Sequence, residues 1–142
     1  MDQKIVEVPA LANLPEAAAA IWDFAKEDNI LLFEGEMAAG KTTLIKELCW
    51  LAGVEEPVSS PTYALVNEYE SNRGAVLYHF DFYRIKDETE ALDMGAPEYF
   101  YSGNKCLIEW PSMVRNILPE HYISVTIDKG AGEARTITLK RN

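Results

Sequence analysis

Apolar and polar positions change their period several times along the chain, and each change predicts an element. Residues 4–8, Lys4-Ile5-Val6-Glu7-Val8, read as a short strand. Asn13-Leu14-Pro15 then offers a helix cap with proline at a permitted first-turn position. Leu14, Ala18, Ile21, Trp22 and Ala25 follow at helical spacing and predict a helix ending near Asp28. Ile30-Leu31-Leu32-Phe33 is a continuous apolar run, the pattern of a strand buried on both faces. Beyond a glycine-bounded loop, Leu44, Ile45, Leu48, Cys49 and Leu51 mark the inner face of a second helix, and Trp22 and Trp50 read as packing residues.

In the second half, residues 63–69 and 75–82 read as two strands joined through Ser71-Asn72-Arg73-Gly74, with Leu77, His79 and Asp81 on one face of the second. A helical or irregular stretch over 86–104 opens with Asp87-Glu88-Thr89-Glu90, carboxylates that suit a helix N-terminus. Cys106-Leu107-Ile108 is another apolar run, stopped at Glu109-Trp110-Pro111. Ile123, Val125 and Ile127 alternate with polar residues, and 135–139 alternate again across the glycine-containing turn 128–132, which predicts a second hairpin. Buried strands interleaved with helices, with antiparallel additions, predict an α/β fold: a mixed parallel/antiparallel sheet flanked by helices.

Composition limits the classes open to such a chain. At 142 residues, 48% hydrophobic and 25% charged, it has the length of a single domain over 1–142 and the make-up of an ordinary soluble globule. A formal charge of −10 repels polyanions, so nucleic acid is expected to be reached only indirectly, through a partner. The longest apolar stretches, near 17–21 and 30–33, fall far short of the ~20 residues of a membrane span, and Met1-Asp2-Gln3-Lys4 does not open a signal peptide. Cys49 and Cys106 are isolated and predict reduced, buried thiols without a disulfide. A cytoplasmic location is expected.

The strongest chemical signal is Gly35-Glu36-Met37-Ala38-Ala39-Gly40-Lys41-Thr42, a complete GxxxxGK[ST] between a predicted strand and a predicted helix. Glycines let backbone N–H groups turn onto phosphate oxygens, and the following helix presents its positive end. Lys41 can neutralise the β- and γ-phosphates, and the Thr42 hydroxyl can ligate Mg2+ without adding charge. The pattern arises by chance in roughly one unrelated chain of this length in a few hundred, before its strand–helix context is counted.

A nucleotidase also needs acidic groups to hold Mg2+ and orient water, and these sit at the carboxyl ends of apolar strands. Asp81 and Glu109 both occupy such places. Ser59-Ser60-Pro61-Thr62-Tyr63 lies where nucleotide switches put a γ-phosphate sensor, or is a proline turn before a strand. His79 reads as a structural strand histidine or as a group that polarises Asp81 or positions a phosphate. Arg84 either offsets anionic charge or pairs with Glu88, and Trp110 is core, site rim or partner contact. The phosphate motif does not specify the base; loop 9–13 and the hairpin around Gly130 are the candidates to flank it.

Four segments together, GEMAAGKTT, SPTY, HFDFYR and IEWP, resemble the bacterial TsaE family of small P-loop ATPases, over about residues 30–119. The resemblance implies an ATPase required for N6-threonylcarbamoyladenosine (t6A) at position 37 of tRNAs reading codons that begin with A, acting with TsaB and TsaD proteins. On that likeness Thr42 and Glu109 match Mg2+ ligands, Gly40, Lys41, Thr42 and Thr43 match phosphate contacts, and Asp81 matches the aspartate implicated in hydrolysis. Gly35, Ala38 and Ala39 complete the expected ATP-binding loop, Lys41 joins Asp81 and Glu109 in the catalytic set, and Ser60, Thr62 and Trp110 match a switch segment and the tryptophan after the acidic ligand. The family usually reads G-D-L-G-A-G-K-T-T; here Glu36, Met37 and Ala38 differ, and alanine costs about 1 kcal/mol wherever a positive φ is required.

Two other function classes fit a P-loop. A small-molecule kinase needs an arginine-bearing lid and an acceptor pocket, and no lid is evident among 13 Lys and Arg. A nucleotide-sensing adaptor would bind ATP and seldom hydrolyse it. A GTP switch is disfavoured, because Asn104-Lys105-Cys106-Leu107 has leucine where N-K-x-D needs its base-reading aspartate.

Overall fold

Four consecutive apolar residues at 30–33 require two covered faces, and the fold supplies them by placing that strand in the middle of a seven-stranded sheet. The computed structural model describes residues 2–36, 39–61 and 65–142. Its elements are β1 (Gln3–Val8), α1 (Leu14–Phe24), β2 (Ile30–Glu34), α2 (Lys41–Ala52), β3 (Val66–Glu70), β4 (Val76–Asp81), α3 (Glu88–Asp93), α4 (Ala96–Phe100), β5 (Lys105–Glu109), β6 (Ile123–Lys129) and β7 (Arg135–Arg141). Short 3-10 turns occupy Leu11–Asn13 and Pro111–Ile117.

The sheet runs β1-β7-β6-β2-β5-β4-β3. Strands β6, β2, β5 and β4 are parallel neighbours, and the β6–β7, β7–β1 and β4–β3 pairs are antiparallel. This is the mixed sheet expected from sequence. Side chains of β2 alternate between two cores. Leu31 and Phe33 pack with Leu107, Val125 and the inner faces of α1 and α2. Ile30 and Leu32 pack with Phe80, Ile108 and Phe100 beneath α3, α4 and the Pro111–Ile117 turn. Parallel β2, β5 and β4 end at one edge in register, Phe33 opposite Glu109 and Asp81 opposite Glu109, so the phosphate motif and both acidic candidates meet there.

Several boundaries differ from expectation for identifiable reasons. Helix α1 stops at Phe24 rather than near Asp28, because Arg141 Nη2 takes the Phe24 carbonyl at 2.6 Å and Lys105 Nζ takes those of Ala25, at 3.0 Å, and Asp28. The Asn13 side chain does not cap α1; its Oδ1 accepts from Ala10 N at 3.1 Å across the preceding turn. Trp22 packs as expected, and its Nε1 donates to Leu48 O at 2.9 Å, joining α1 to α2. Trp50 and Leu51 do not: Trp50 is 69% exposed, because α2 buries the face of Leu44, Ile45, Leu48 and Cys49 and turns the next positions outward. Strand β3 begins at Val66; the earlier start expected at residues 63–64 lies outside the described residues.

The acidic run at 87–90 does open a helix, with Asp87 Oδ1 accepting from Thr89 N at 2.9 Å. Cys49 and Cys106 are free and fully buried, and burial pushes both thiols up to about 12. Among the described residues no helix is long and apolar enough to cross a membrane.

Candidate functional site

Gly35 leaves the end of β2 against the backbone of β6: a Cβ there would stand 2.8 Å from Ile127 O. Gly40, at φ +103°, is the left-handed residue from which α2 starts. Between them Ala39 is buried, and its carbonyl accepts from Arg135 Nε at 2.9 Å. Met37 and the expected phosphate contact Ala38 lie outside the described residues. So does Thr62 of the expected switch. The loop thus delivers the free N–H groups of the first turn of α2 to the sheet edge, with Lys41, Thr42 and Thr43 on that turn.

Lys41 is 6% exposed and donates to Gly35 O, while its ammonium lies 4.1 Å from the centroid of the Trp110 ring. Burial lowers its pKa from the ordinary lysine value, and the charges of Glu109 and Asp81 oppose that shift. Trp110 is held with φ 57° and ψ 53°, the only non-glycine residue at positive φ among those described, and packs on Tyr83 at 4.9 Å between ring centroids. A tryptophan in that conformation is strained by about 1–3 kcal/mol, held by its surroundings. Pro111, beginning the next turn, fixes the chain just beyond.

Thr42 Oγ1 is the hub of the arrangement. It stands 3.2 and 3.3 Å from the two carboxylate oxygens of Glu109 and 3.0 Å from Ser60 Oγ. Glu109, at the end of β5, is only 3% exposed, and its Oε2 also lies 2.7 Å from His79 Nε2. His79 was expected to touch Asp81 or a phosphate if it acted at all; its ring nitrogen contacts Glu109 instead, since both side chains rise from neighbouring strands on the α2 side of the sheet. Asp81 is half-buried and accepts from Tyr83 N at 3.0 Å. Burial raises its pKa above the usual carboxylate value; the Tyr83 N–H, His79 and Lys41 oppose that, and Glu109 adds to it.

One carboxylate and two hydroxyls make a hard-oxygen donor set, the kind Mg2+ takes while keeping several waters. No cluster of three or more His, Cys, Asp or Glu suited to a closed metal cage occurs among the described residues. The chemistry of the donors therefore fits Mg2+ at Thr42 and Glu109, and does not fit a structural zinc.

Ser60 joins this cluster, but Arg84 does not. Arg84 is exposed and makes no ion pair among the described residues, and Glu88 instead accepts from Asn116 N and Nδ2 at 2.7 and 3.0 Å. Three contributors were missed. Asn67 Nδ2 donates to Ser59 O at 3.0 Å and the Tyr69 hydroxyl to the same oxygen at 3.1 Å, so β3 holds the segment that carries Ser60. An asparagine, a residue depleted in strands, between Val66 and Tyr69 was the available signal. Arg135, which holds the loop at Ala39, gave none, because it lies 96 residues away in sequence.

Beside the loop is an open cavity of about 260 Å3 lined by Val8, Leu11, Ala39, Thr43, Ile127 and Arg135, with Leu11 N donating to Glu133 Oε1 at 3.2 Å at its rim. Loop 9–13 and the hairpin around Gly130, expected to flank the nucleotide, meet here.

Residues 8–137 match the family model described as Threonylcarbamoyl adenosine biosynthesis protein TsaE. The chain belongs to the TsaE family. It is 38% identical over 134 residues to the tRNA threonylcarbamoyladenosine biosynthesis protein TsaE of Bacillus subtilis, covering 94% of this chain and 78% of that one. It is 43% identical over 110 residues to the protein of the same name from Haemophilus influenzae, covering 78% and 68%. A crystal structure of Bacillus subtilis YdiB superposes with TM-score 0.72 and 28% identity, over 96% of this chain and 84% of that one. As a TsaE-family member, the chain has a P-loop NTPase-like fold.

Proposed function

We propose that this protein is a Mg2+-dependent ATPase that serves formation of t6A at position 37 of tRNAs reading codons that start with A, in the cytoplasm, with a TsaB–TsaD-type complex performing the transfer. The observation that carries the nucleotide chemistry is the convergence of Thr42 Oγ1 on Glu109 and Ser60 at the start of α2, beside a buried lysine. The tRNA pathway rests on the names of the relatives, and the −10 charge supports contact with tRNA only through partners.

Thr42 and Glu109 would hold Mg2+. When bound, the ion would neutralise charge on the β- and γ-phosphate oxygens. Lys41 gives up Gly35 O for a phosphate oxygen, with backbone N–H groups of residues 40–43 completing the cradle. Asp81, one strand over from Glu109, orients the attacking water and accepts its proton as the new bond forms from water oxygen to the γ-phosphorus and the bond to the β–γ bridging oxygen breaks. The cavity beside Thr43 takes the adenine, with Leu11 and Ile127 as apolar walls. Ser60 releases Thr42 as the phosphates are gripped, so the segment held by Asn67 and Tyr69 reports the nucleotide to the partner complex and drives a conformational or product-release step.

Multiple-turnover threonylcarbamoylation of tRNA by the partner complex tests the reading, with wild-type protein, Lys41→Ala or nothing added. Sustained turnover with wild type alone is expected. Equal turnover in all three sends the search to a small-molecule acceptor for the γ-phosphate.

A further inference from the structure

His79 lies in the middle of β4, wholly buried, with Asn67 of β3 and Leu107 of β5 opposite it on either side. Its Nε2 is 2.7 Å from Glu109 Oε2, while Nδ1 is buried without a hydrogen-bond partner among the described residues. These two facts select a tautomer. With hydrogen on Nε2, the ring donates to the carboxylate and leaves only a lone pair unmatched at Nδ1; hydrogen on Nδ1 would bury an orphaned N–H and set two lone pairs against each other at Glu109.

Glu109 has three rotatable side-chain bonds, and its carboxylate needs a fixed direction if one oxygen is to meet a cation beside Thr42. Thr42 Oγ1 does not supply that direction: it stands almost equally far, 3.2 and 3.3 Å, from both oxygens. His79 distinguishes them, binding Oε2 alone from within the sheet. We infer that His79 is a positioning residue that engages Glu109 Oε2 and so leaves Oε1 as the cation-binding oxygen beside Thr42. The inference rests on the Mg2+ reading above and adds to it a residue with no contact to nucleotide or ion.

The test uses the full chain with a non-hydrolysable ATP analogue and Mn2+ as the metal probe, read by electron paramagnetic resonance, and measures analogue binding separately in EDTA. His79→Phe keeps a ring and removes the donor; His79→Gln keeps an Nε2 donor at similar reach. The Phe variant is expected to bind Mn2+ roughly 10–100-fold more weakly, with binding in EDTA unchanged and most of the loss restored in the Gln variant. Full Mn2+ affinity in a folded Phe variant, or an equal loss of analogue binding in EDTA, overturns the inference. A long-range 1H–15N spectrum of the wild-type imidazoles tests it without any variant: an Nε2–H tautomer at His79 is expected, and an Nδ1–H tautomer overturns it. Wild-type protein that binds the analogue but no Mn2+ overturns the Mg2+ reading itself, a result distinct from a change seen only in the variants.

Discussion

The Lys41 ammonium lies 4.1 Å from the centre of the Trp110 ring, so the P-loop lysine and the residue after Glu109 form one unit at the end of the sheet. Two consequences follow for spectroscopy. Trp110 fluorescence should change when ATP draws Lys41 off the ring, in protein carrying Trp22→Phe and Trp50→Phe so that one tryptophan reports. Lys41→Ala should remove that change and weaken ATP binding by about 1.5–3 kcal/mol, or roughly 10–150-fold, by calorimetric titration. A fluorescence change of full size at wild-type ATP concentrations in Lys41→Ala would separate the ring from the phosphate site.

Asp81 should make stability and activity respond to pH in opposite directions. Its folded pKa lies above the ordinary carboxylate value, chiefly through burial. A raised folded pKa adds stability below the unfolded value, and that stability is lost as pH rises through the folded one. Asp81→Asn should therefore melt higher than wild type at neutral pH, by on the order of 1–2 °C because the group is half-exposed, and the gap should close at about pH 3. ATPase activity should rise in wild type as Asp81 ionises, with a midpoint above the ordinary aspartate value, and stay low and flat in the asparagine variant. Calorimetry and a pH–rate profile check the two halves.

Arg135 should matter to nucleotide affinity although it lies on the last strand. Its Nε fixes the Ala39 carbonyl, orienting the loop peptide before Gly40. Arg135→Ala should weaken ADP binding about 5–10-fold by calorimetric titration, the effect of losing one charge-assisted hydrogen bond. Lysine at this position should restore little, since a point charge does not reproduce the guanidinium geometry.

Gly35→Ala should destabilise the fold as well as the loop. The added methyl meets Ile127 O at 2.8 Å, and β6 backbone cannot yield as a side chain would. A loss of roughly 1–3 kcal/mol is expected in urea unfolding. Unchanged stability would show that the end of β2 can separate from β6 at no cost.

How much of this was legible in advance depended on the distance over which each feature is encoded. The strand–loop–helix carrying Lys41 and Thr42 is local: an apolar run of four, glycines at the turn and a helical period afterward are contiguous. Glu109 and Asp81 were identified because strand ends in parallel sheets gather at one edge, a rule of topology that a single chain order can invoke. The TsaE-like segments located Ser60 and Trp110 by motif, but gave no reason for Trp110's left-handed backbone or its place over Lys41.

Sequence alone determined the mixed α/β fold, the reduced thiols, and the phosphate loop with its lysine and threonine, because these follow from periodicity, composition and local backbone chemistry. Tertiary structure decided the rest. It put Glu109, not Asp81, on Thr42, turned His79 to Glu109, left Arg84 and Trp50 in solvent, and brought Asn67, Tyr69 and Arg135 to the site. Those choices depend on strand register and on which neighbour shares a face, and register is fixed only when distant strands pair over a common core.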